Sequence, residues 1–432
     1  MKNKRNNKTN VLMLLFMAFL AMQVKAQSVD VVINENGTER LEVIDLPVSM
    51  TYPLDSLLVD WKLRTFVVDM PEDCSTTTEN PTFLDSVYID RLSRIPSIME
   101  MPYNSIVRRF IDVYTGRLRN QVAFMISANN FYIPIFEEAL DAYDLPLELK
   151  YLPIIESALN PSAVSRVGAS GLWQFMINTG KIYGLESNSL VDDRRDPIKA
   201  TWAAARYLKD LYGIYKDWNL VIAAYNCGPG NVNKAIRRAG GTTDYWAIYN
   251  NLPRETRGYV PAFIAANYVM NYYCDHNICP LETNMPGDTD TIQINRRVHF
   301  EQIAAVAGVE MEQLKSLNPQ YKRDIIPGDI KPYTLRMPQA NISQFIDQQD
   351  SVYAYKAKEL FTQRRTVEVK DTPRRAAAAP AGRTLVNHKI RSGDNLGAIA
   401  AKYKVRVSDI MAWNNMRNNK IIAGKTLKIY VK

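Results

Sequence analysis

Apolar positions recur at helical spacing through the middle of the chain, from about Ser97 to Asp275, and no strand-like alternation interrupts them. Asp196-Pro197 supplies an N-cap and a first-turn proline. Ala200, Ala203, Ala204, Tyr207, Leu208 and Leu211 follow on one helical face, and Gly213 is expected to stop the helix. A second helix is predicted from about Trp218 to Tyr225, ending at Asn226-Cys227-Gly228-Pro229-Gly230. A third is predicted from near Asn231 to Gly240-Gly241, and Val260, Phe263, Ile264, Tyr268 and Met270 mark another. Residues 97–285 therefore read as one helical domain, within the usual domain size.

The flanks are patterned differently. Residues 27–96 carry scattered prolines and the polar run Cys74 to Pro81, and they read as an irregular N-terminal extension. In the last segment, 387–432, His388 and Ile390 at one end and Leu427, Ile429 and Val431 at the other read as short strands. Two helical stretches, Leu396 to Tyr403 and Val407 to Trp413, lie between them, giving a β-α-α-β order. A weaker echo lies at 286–345. There Phe300-Glu301-Gln302-Ile303-Ala304, Leu314-Lys315-Ser316-Leu317-Asn318-Pro319, Pro327-Gly328 and Leu335-Arg336-Met337 follow in the same order, as in a degenerate first copy of the module. Residues 346–386, including Ala376 to Ala379 and the basic run from Arg364 to Arg383, read as a linker. The fold class expected is mainly α, with small βααβ modules at the C-terminal end.

Charge narrows the partners little by itself. A net charge of +8 favours polyanions, and nucleic acid, lipid headgroups and anionic cell wall all qualify. The first residues decide among them. Lys2, Lys4, Arg5 and Lys8 precede the uncharged run Val11 to Met22, and Val24-Lys25-Ala26 offers small residues for cleavage. Residues 1–26 read as a secretory signal peptide, because the run is shorter than the ~20 residues that span a bilayer. An exported, periplasmic protein is expected, associated with the outer membrane or the cell wall. Nucleic acid is not its partner. Peripheral membrane attachment stays open, since no cysteine near the cleavage site offers a lipid acceptor. Export permits disulfides. Cys274 and Cys279, flanking His276, suit a local pair or plain thiols better than a metal, and no metal site is expected.

Chemistry concentrates between Leu149 and Leu185, where Glu156 is the only acidic residue. A helix starting near Pro146 must end by Asn160-Pro161, which leaves Glu156 in the last turn, where the helix dipole disfavours a carboxylate. Leu152, Ile154, Ile155 and Leu159 surround it with apolar groups. Both effects raise a carboxyl pKa, the condition for a general acid near neutral pH. Gly168-Ala169-Ser170-Gly171 lets backbone approach closely. Trp173 and Gln174 are expected to begin a helical turn continued by Phe175, Met176 and Thr179, with Trp173 as suited to a core as to a site. Ala223-Ala224-Tyr225-Asn226-Cys227-Gly228-Pro229-Gly230 reads as a helix end lining a cleft.

The string Ile155-Glu156-Ser157-Ala158-Leu159-Asn160-Pro161, with Gly168 to Met176 and Ala224 to Gly230, resembles the signature of the soluble lytic transglycosylase (SLT) domain family. Leu172-Trp173-Gln174-Phe175, Asp196-Pro197 and Pro253-Arg254-Glu255-Thr256-Arg257-Gly258-Tyr259-Val260-Pro261 point to the branch resembling membrane-bound lytic murein transglycosylase D. The resemblance implies a lysozyme-like helical catalytic domain with Glu156 as its single acid. Ser165, Gln174, Met176, Tyr225, Asn226 and Tyr259 match positions lining the glycan cleft, and Cys227 stands where the family often has Ala. Residues 387–432 resemble a LysM module, a binder of N-acetylglucosamine-containing glycans. Gly393, Asp394, Asn395, Leu396, Ile421 and Ile422 are the implied contacts. His388 replaces the usual aromatic of the first strand, and Asn395 replaces the usual Thr.

The family reaction cleaves the β-1,4 bond between N-acetylmuramic acid and N-acetylglucosamine of peptidoglycan strands, forms a 1,6-anhydromuramyl end and needs no cofactor. A lone acid suffices when the substrate's own C6 hydroxyl is the nucleophile, whereas hydrolysis ordinarily uses two carboxylates about 5 to 9.5 Å apart. Asp192, Asp193, Asp196 and Glu255 are the acids that the fold could bring near. A hydrolytic muramidase and an inactive wall-binding scaffold are the alternatives; retention of Glu156 in its motif argues against the scaffold.

Overall fold

In a computed structural model of the chain, residues 28–35, 38–52, 79–281, 288–361, 382–416 and 418–431 are described. The expected signal peptide and most of the linker's basic run lie outside these residues. Among the described residues no helix is long and apolar enough to cross a membrane. The chain divides into two compact units, one ending at Phe361 and the other starting at Thr362.

The first unit opens not with an irregular extension but with an antiparallel hairpin, β1 (Ser28–Glu35) and β2 (Thr38–Asp45), followed by a 3-10 turn at Val48–Thr51. Val29, Val31, Ile44, Leu46 and Met50 are buried in the same core as the helices. The helical region also begins earlier than the sequence suggests, with α1 (Asp85–Arg94), α2 (Ser105–Thr115) and α3 (Arg119–Ala142). Asn104 caps α2 by accepting from the Ile106 and Val107 amides. After a 3-10 turn at Leu147–Tyr151 come the short α4 (Leu152–Ser157) and α5 (Ile177–Ile182), then α6 (Pro197–Tyr215), α7 (Trp218–Cys227) and α8 (Pro229–Arg238). Two single turns, α9 (Tyr245–Ile248) and α10 (Arg254–Arg257), lead into α11 (Tyr259–Tyr272). Residues 259–270 of α11 are buried on every side, so it is the central helix of the domain.

Asp196 caps α6 as its sequence predicts, accepting from the Ile198 and Lys199 amides. Gly213 does not stop α6, which runs on to Tyr215 and turns at left-handed Lys216. One glycine inside a helix costs only about 1 kcal/mol, and Tyr215 offsets it by burying its ring and donating to the Pro229 carbonyl (3.0 Å). α8 starts two residues before the expected Asn231, because Gly228 turns the chain at φ 81° and Pro229 opens the helix.

The same unit continues into a strand-helix-helix-strand module. β3 (Thr289–Ile294) and β4 (Arg297–His299) precede α12 (Phe300–Ala307) and α13 (Met311–Leu317), and β5 (Ile325–Pro327) and β6 (Tyr333–Pro338) follow. β3 pairs with β6 and β4 with β5, both antiparallel. The module does not end at 345. α14 (Gln339–Asp347) and α15 (Gln349–Ala354) place Phe345, Val352 and Tyr353 in its core, and the short α16 (Ala357–Leu360) follows. The second unit repeats the order more simply, with β7 (Thr384–Lys389), α17 (Leu396–Lys402), α18 (Val407–Trp413) and β8 (Thr426–Val431), β7 antiparallel to β8.

Candidate active site

Glu156 is the penultimate residue of α4, as the Asn160-Pro161 stop requires. Ala158 (φ 51°) and Leu159 (φ 60°) reverse the chain in left-handed geometry. The buried Ser157 then ties the helix to the next segment by donating to the Leu172 carbonyl (2.9 Å). That segment is a compact loop and not a helical turn at Trp173. Ser165 and Ala169, and Ser170 and Phe175, exchange backbone or hydroxyl hydrogen bonds, and Gln174 sits at φ 46°; helix resumes only at Ile177. Trp173 is core: its indole N–H donates to Thr201 Oγ1 (2.9 Å) and its ring is 1% exposed.

Two residues outside the recognised motif hold this loop. Arg194 is buried and forks onto Asp192 (2.9 and 2.8 Å), and its other nitrogen donates to the Gly168 and Phe175 carbonyls (2.8 and 2.9 Å). Although burial opposes ionisation, these contacts keep the Asp192 carboxyl below its ordinary range. The loop passes so close that a Cβ at Gly171, whose φ is 89°, would stand 1.7 Å from the Arg194 carbonyl oxygen. Asp193 pairs with Lys199 (2.8 Å). Asp192, Asp193 and Asp196 are thus structural.

An open cleft of about 380 Å³ lies over Glu156. Ser165, Gln174, Met176, Tyr225, Asn226 and Tyr259 all line it, so the fold brings together every cleft residue singled out from the sequence. Several are committed to the frame. The Tyr225 hydroxyl donates to the Trp173 carbonyl (2.8 Å), the Gln174 amide donates to the Gly171 carbonyl (2.8 Å), and Asn226 accepts from Thr256 Oγ1 (2.8 Å). Met176 is 44% exposed and offers an apolar wall. The Tyr259 hydroxyl donates to Glu156 Oε1. Sequence reasoning missed Pro47, Val48 and Tyr207, which also line the cleft. Of the four acids that the fold could bring near, Glu255 alone reaches it.

Glu156 keeps partial access to the cleft and is otherwise enclosed. Burial pushes its carboxyl up to about 8; the Tyr259 hydrogen bond works against the rise and the Glu255 charge adds to it. Burial likewise raises Tyr259 well above its usual value, so it remains a donor. The group able to give a proton near neutral pH is therefore the one at the floor of the cleft.

Among the described residues no group of three or more His, Cys, Asp or Glu could hold a metal. Cys279 is disulfide-bonded and Cys274 is not its partner, so the local Cys274–Cys279 pair is not formed. In the C-terminal module Gly393 and Asn395 are exposed, and Asp394 accepts from the Arg391 amide (2.8 Å) and sits 3.3 Å from His388 Nε2. The Gly424 amide donates to the Ile390 carbonyl (2.8 Å), which ties the turn after Ile421 and Ile422 to the end of β7. Ile422 is 61% exposed, but Leu396 is 3% exposed and belongs to the core, so its side chain is no glycan contact.

The domains themselves match known families. Residues 134–248 match the transglycosylase SLT domain, 288–354 the LysM-like domain of the lytic transglycosylase MltD, and 388–429 the LysM domain. The chain thus carries an SLT domain followed by two LysM-type modules. It is similar to membrane-bound lytic murein transglycosylase D of Escherichia coli, with 30% identity over 290 residues, 66% of this chain and 60% of that protein. The chain thus spans about 60% of the length of that relative. It is also similar to the soluble lytic murein transglycosylase of Escherichia coli, with 34% identity over 27% of this chain and 19% of that one. The crystal structure of the 70 kDa soluble lytic transglycosylase of Escherichia coli aligns with 32% of this chain and 24% of its own at 30% identity and a TM-score of 0.29.

Proposed function

We propose that the chain cleaves the β-1,4 bond between N-acetylmuramic acid and N-acetylglucosamine in peptidoglycan and leaves a 1,6-anhydromuramyl end. The observation that carries this reading is one enclosed carboxyl, Glu156, at the floor of an open cleft, raised to about 8 by burial and with a tyrosine hydroxyl on its Oε1. Glu156 gives its proton to the glycosidic oxygen as the C1–O bond breaks. The carboxylate so formed takes the proton of the C6 hydroxyl as that oxygen bonds to C1, and Glu156 ends protonated again. Tyr259 steadies the carboxylate between the two transfers. The substrate's N-acetyl group can share the positive charge at C1. The steps draw on Glu156 and the substrate's own hydroxyl, with no cofactor.

The C-terminal module holds the enzyme on the glycan through the exposed Gly393–Asn395 turn and Ile422. Export to the periplasm, with residence at the wall or the outer membrane, fits the substrate, the basic charge and the names of the relatives. Glu255 supports a second reading, hydrolysis by a muramidase of the same fold, because it supplies another carboxylate at the cleft. Replacing Glu156 with Gln keeps the shape and removes the transferable proton. Release of glycan fragments from purified sacculi should fall at least ~100-fold with folding intact; near-full release by a folded Glu156→Gln protein would refute the assignment.

A further inference from the structure

The N-terminal hairpin and the 3-10 turn after it lie outside the segment that matches the SLT domain, yet together they touch both sides of the catalytic pair. On the Glu156 side, α4 ends in a tight reversal. The Ala158 amide donates back to Ile154 and the Leu159 amide to Pro153, while the Ile155 carbonyl, directly before Glu156, takes its hydrogen bond from Ser49 Oγ (2.5 Å). Ser49 is 1% exposed, and its neighbours Pro47 and Val48 form part of the cleft wall. On the Tyr259 side, the same hairpin grips α10. Glu42, with its side chain 11% exposed, pairs with Arg257 (3.0 Å), and Asp45 pairs with Arg254 (3.0 Å). These two arginines flank Glu255 and precede Tyr259. Contact is close directly before Tyr259: a Cβ on Gly258 would lie 2.5 Å from the Asp45 carbonyl oxygen.

From this geometry we infer that residues 28–52 are a clamp built into the active site, in which Ser49 and Glu42 are positioning residues that set Glu156 and Tyr259 against each other. Glu156 and Tyr259 are 103 residues apart in sequence and sit on different helices, so their hydrogen bond is only as well aligned as the elements carrying them. A shared third element fixes that alignment better than two independent anchors, and misplacement by about 1 Å can cost ~100-fold in rate. The groups that face Glu156 are Glu255 from α10, Tyr259 from α11, Tyr225 from α7 and Tyr207 from α6; none belongs to the hairpin. The clamp therefore acts through position and enclosure, not through charge.

The inference rests on the proposed glycan cleavage, and two measurements on full-length protein separate them. In Ser49→Ala and Glu42→Gln, kcat on sacculi should fall ~10- to 100-fold with KM within about twofold. Burial is the largest influence on the Glu156 carboxyl, so the alkaline limb of the pH profile should move to lower pH as the clamp loosens. Ile330→Ser, at an exposed position between β5 and β6 and outside the clamp, should leave both unchanged. Titration of the Glu156 carboxyl by ¹³C NMR reads the same displacement without turnover. Folded Ser49→Ala and Glu42→Gln proteins with wild-type kcat and a wild-type Glu156 titration would overturn the clamp. A wild-type chain that leaves glycan intact would defeat the proposed function alone, because the NMR titration would still decide on the clamp.

Discussion

Glu156 stays protonated near neutral pH because of where the chain puts it. α4 delivers it to the cleft floor, burial raises it to about 8, and Tyr259 moderates the rise. Activity that needs the acid form should fall as pH rises through about 8. Tyr259→Phe removes the moderating hydrogen bond, so the alkaline limb should move to higher pH while kcat falls; an unmoved limb would contradict the contact. The same shift bears on stability. A carboxyl held above its unfolded pKa binds its proton more tightly in the folded state, so its stabilising contribution is complete below the unfolded value near 4.5 and is lost as pH rises through about 8. Thermal melts of wild type and Glu156→Gln should therefore diverge between about pH 5 and 8, with wild type losing ground as pH rises. At this scale the sequence was informative about Glu156 itself, since Asn160-Pro161 and the apolar neighbours fix its turn and its surroundings. The partner was not readable as a contact. Nothing in local pattern brings Tyr259 across 103 positions, and only the resemblance placed it at the cleft.

The loop from Ala163 to Met176 is the element that shapes the cleft, and its geometry depends on one glycine and one arginine. Gly171 takes a φ of 89° against the Arg194 backbone. Gly171→Ala should cost at least ~1–3 kcal/mol from backbone strain alone, with the collision added. Calorimetry should find a lowered Tm, and glycan cleavage should fall with it; an unaltered melting curve would mean that the loop tolerates the methyl. Small residues at 168–171 made a close approach legible, but not what is approached. The mistaken helical turn at Trp173 has the same origin. Apolar spacing there reflects burial of Trp173 and Phe175 in a loop that bonds to itself and to Arg194, and periodicity cannot tell that from a helix. The hairpin of residues 28–45 escaped notice for the opposite reason. Its strands have one buried face, but apolar Val32, Leu41 and Val43 stand on the exposed face while Glu42 lies on the enclosed one, so the alternation does not stand out, and the burial comes from contact with distant helices.

At the scale of the whole molecule, the two strand-helix-helix-strand modules differ in use. The first shares its core with Val191 of the catalytic region, and its Gln320 carbonyl accepts from the Asp192 amide (2.9 Å), so it braces the segment that carries Arg194. The second is a separate compact unit after Phe361. Their strand order was visible in the sequence as an echo, while the α15 closure of the first was hidden in a stretch that reads as linker. If the second module tethers the enzyme to its polymer, a chain ending at Gly382 should cleave soluble glycan fragments at the full-length rate and sediment less with insoluble sacculi. Equal sedimentation would remove the tether. The central claim is the route of the reaction, and mass spectrometry of the muropeptides released from sacculi in ¹⁸O-water tests it most directly. Transfer to the C6 hydroxyl predicts anhydromuramyl ends that are one water lighter than hydrolysis products and carry no ¹⁸O. Reducing ends labelled with ¹⁸O would contradict the single-acid account and turn attention to Glu255 as the second carboxylate.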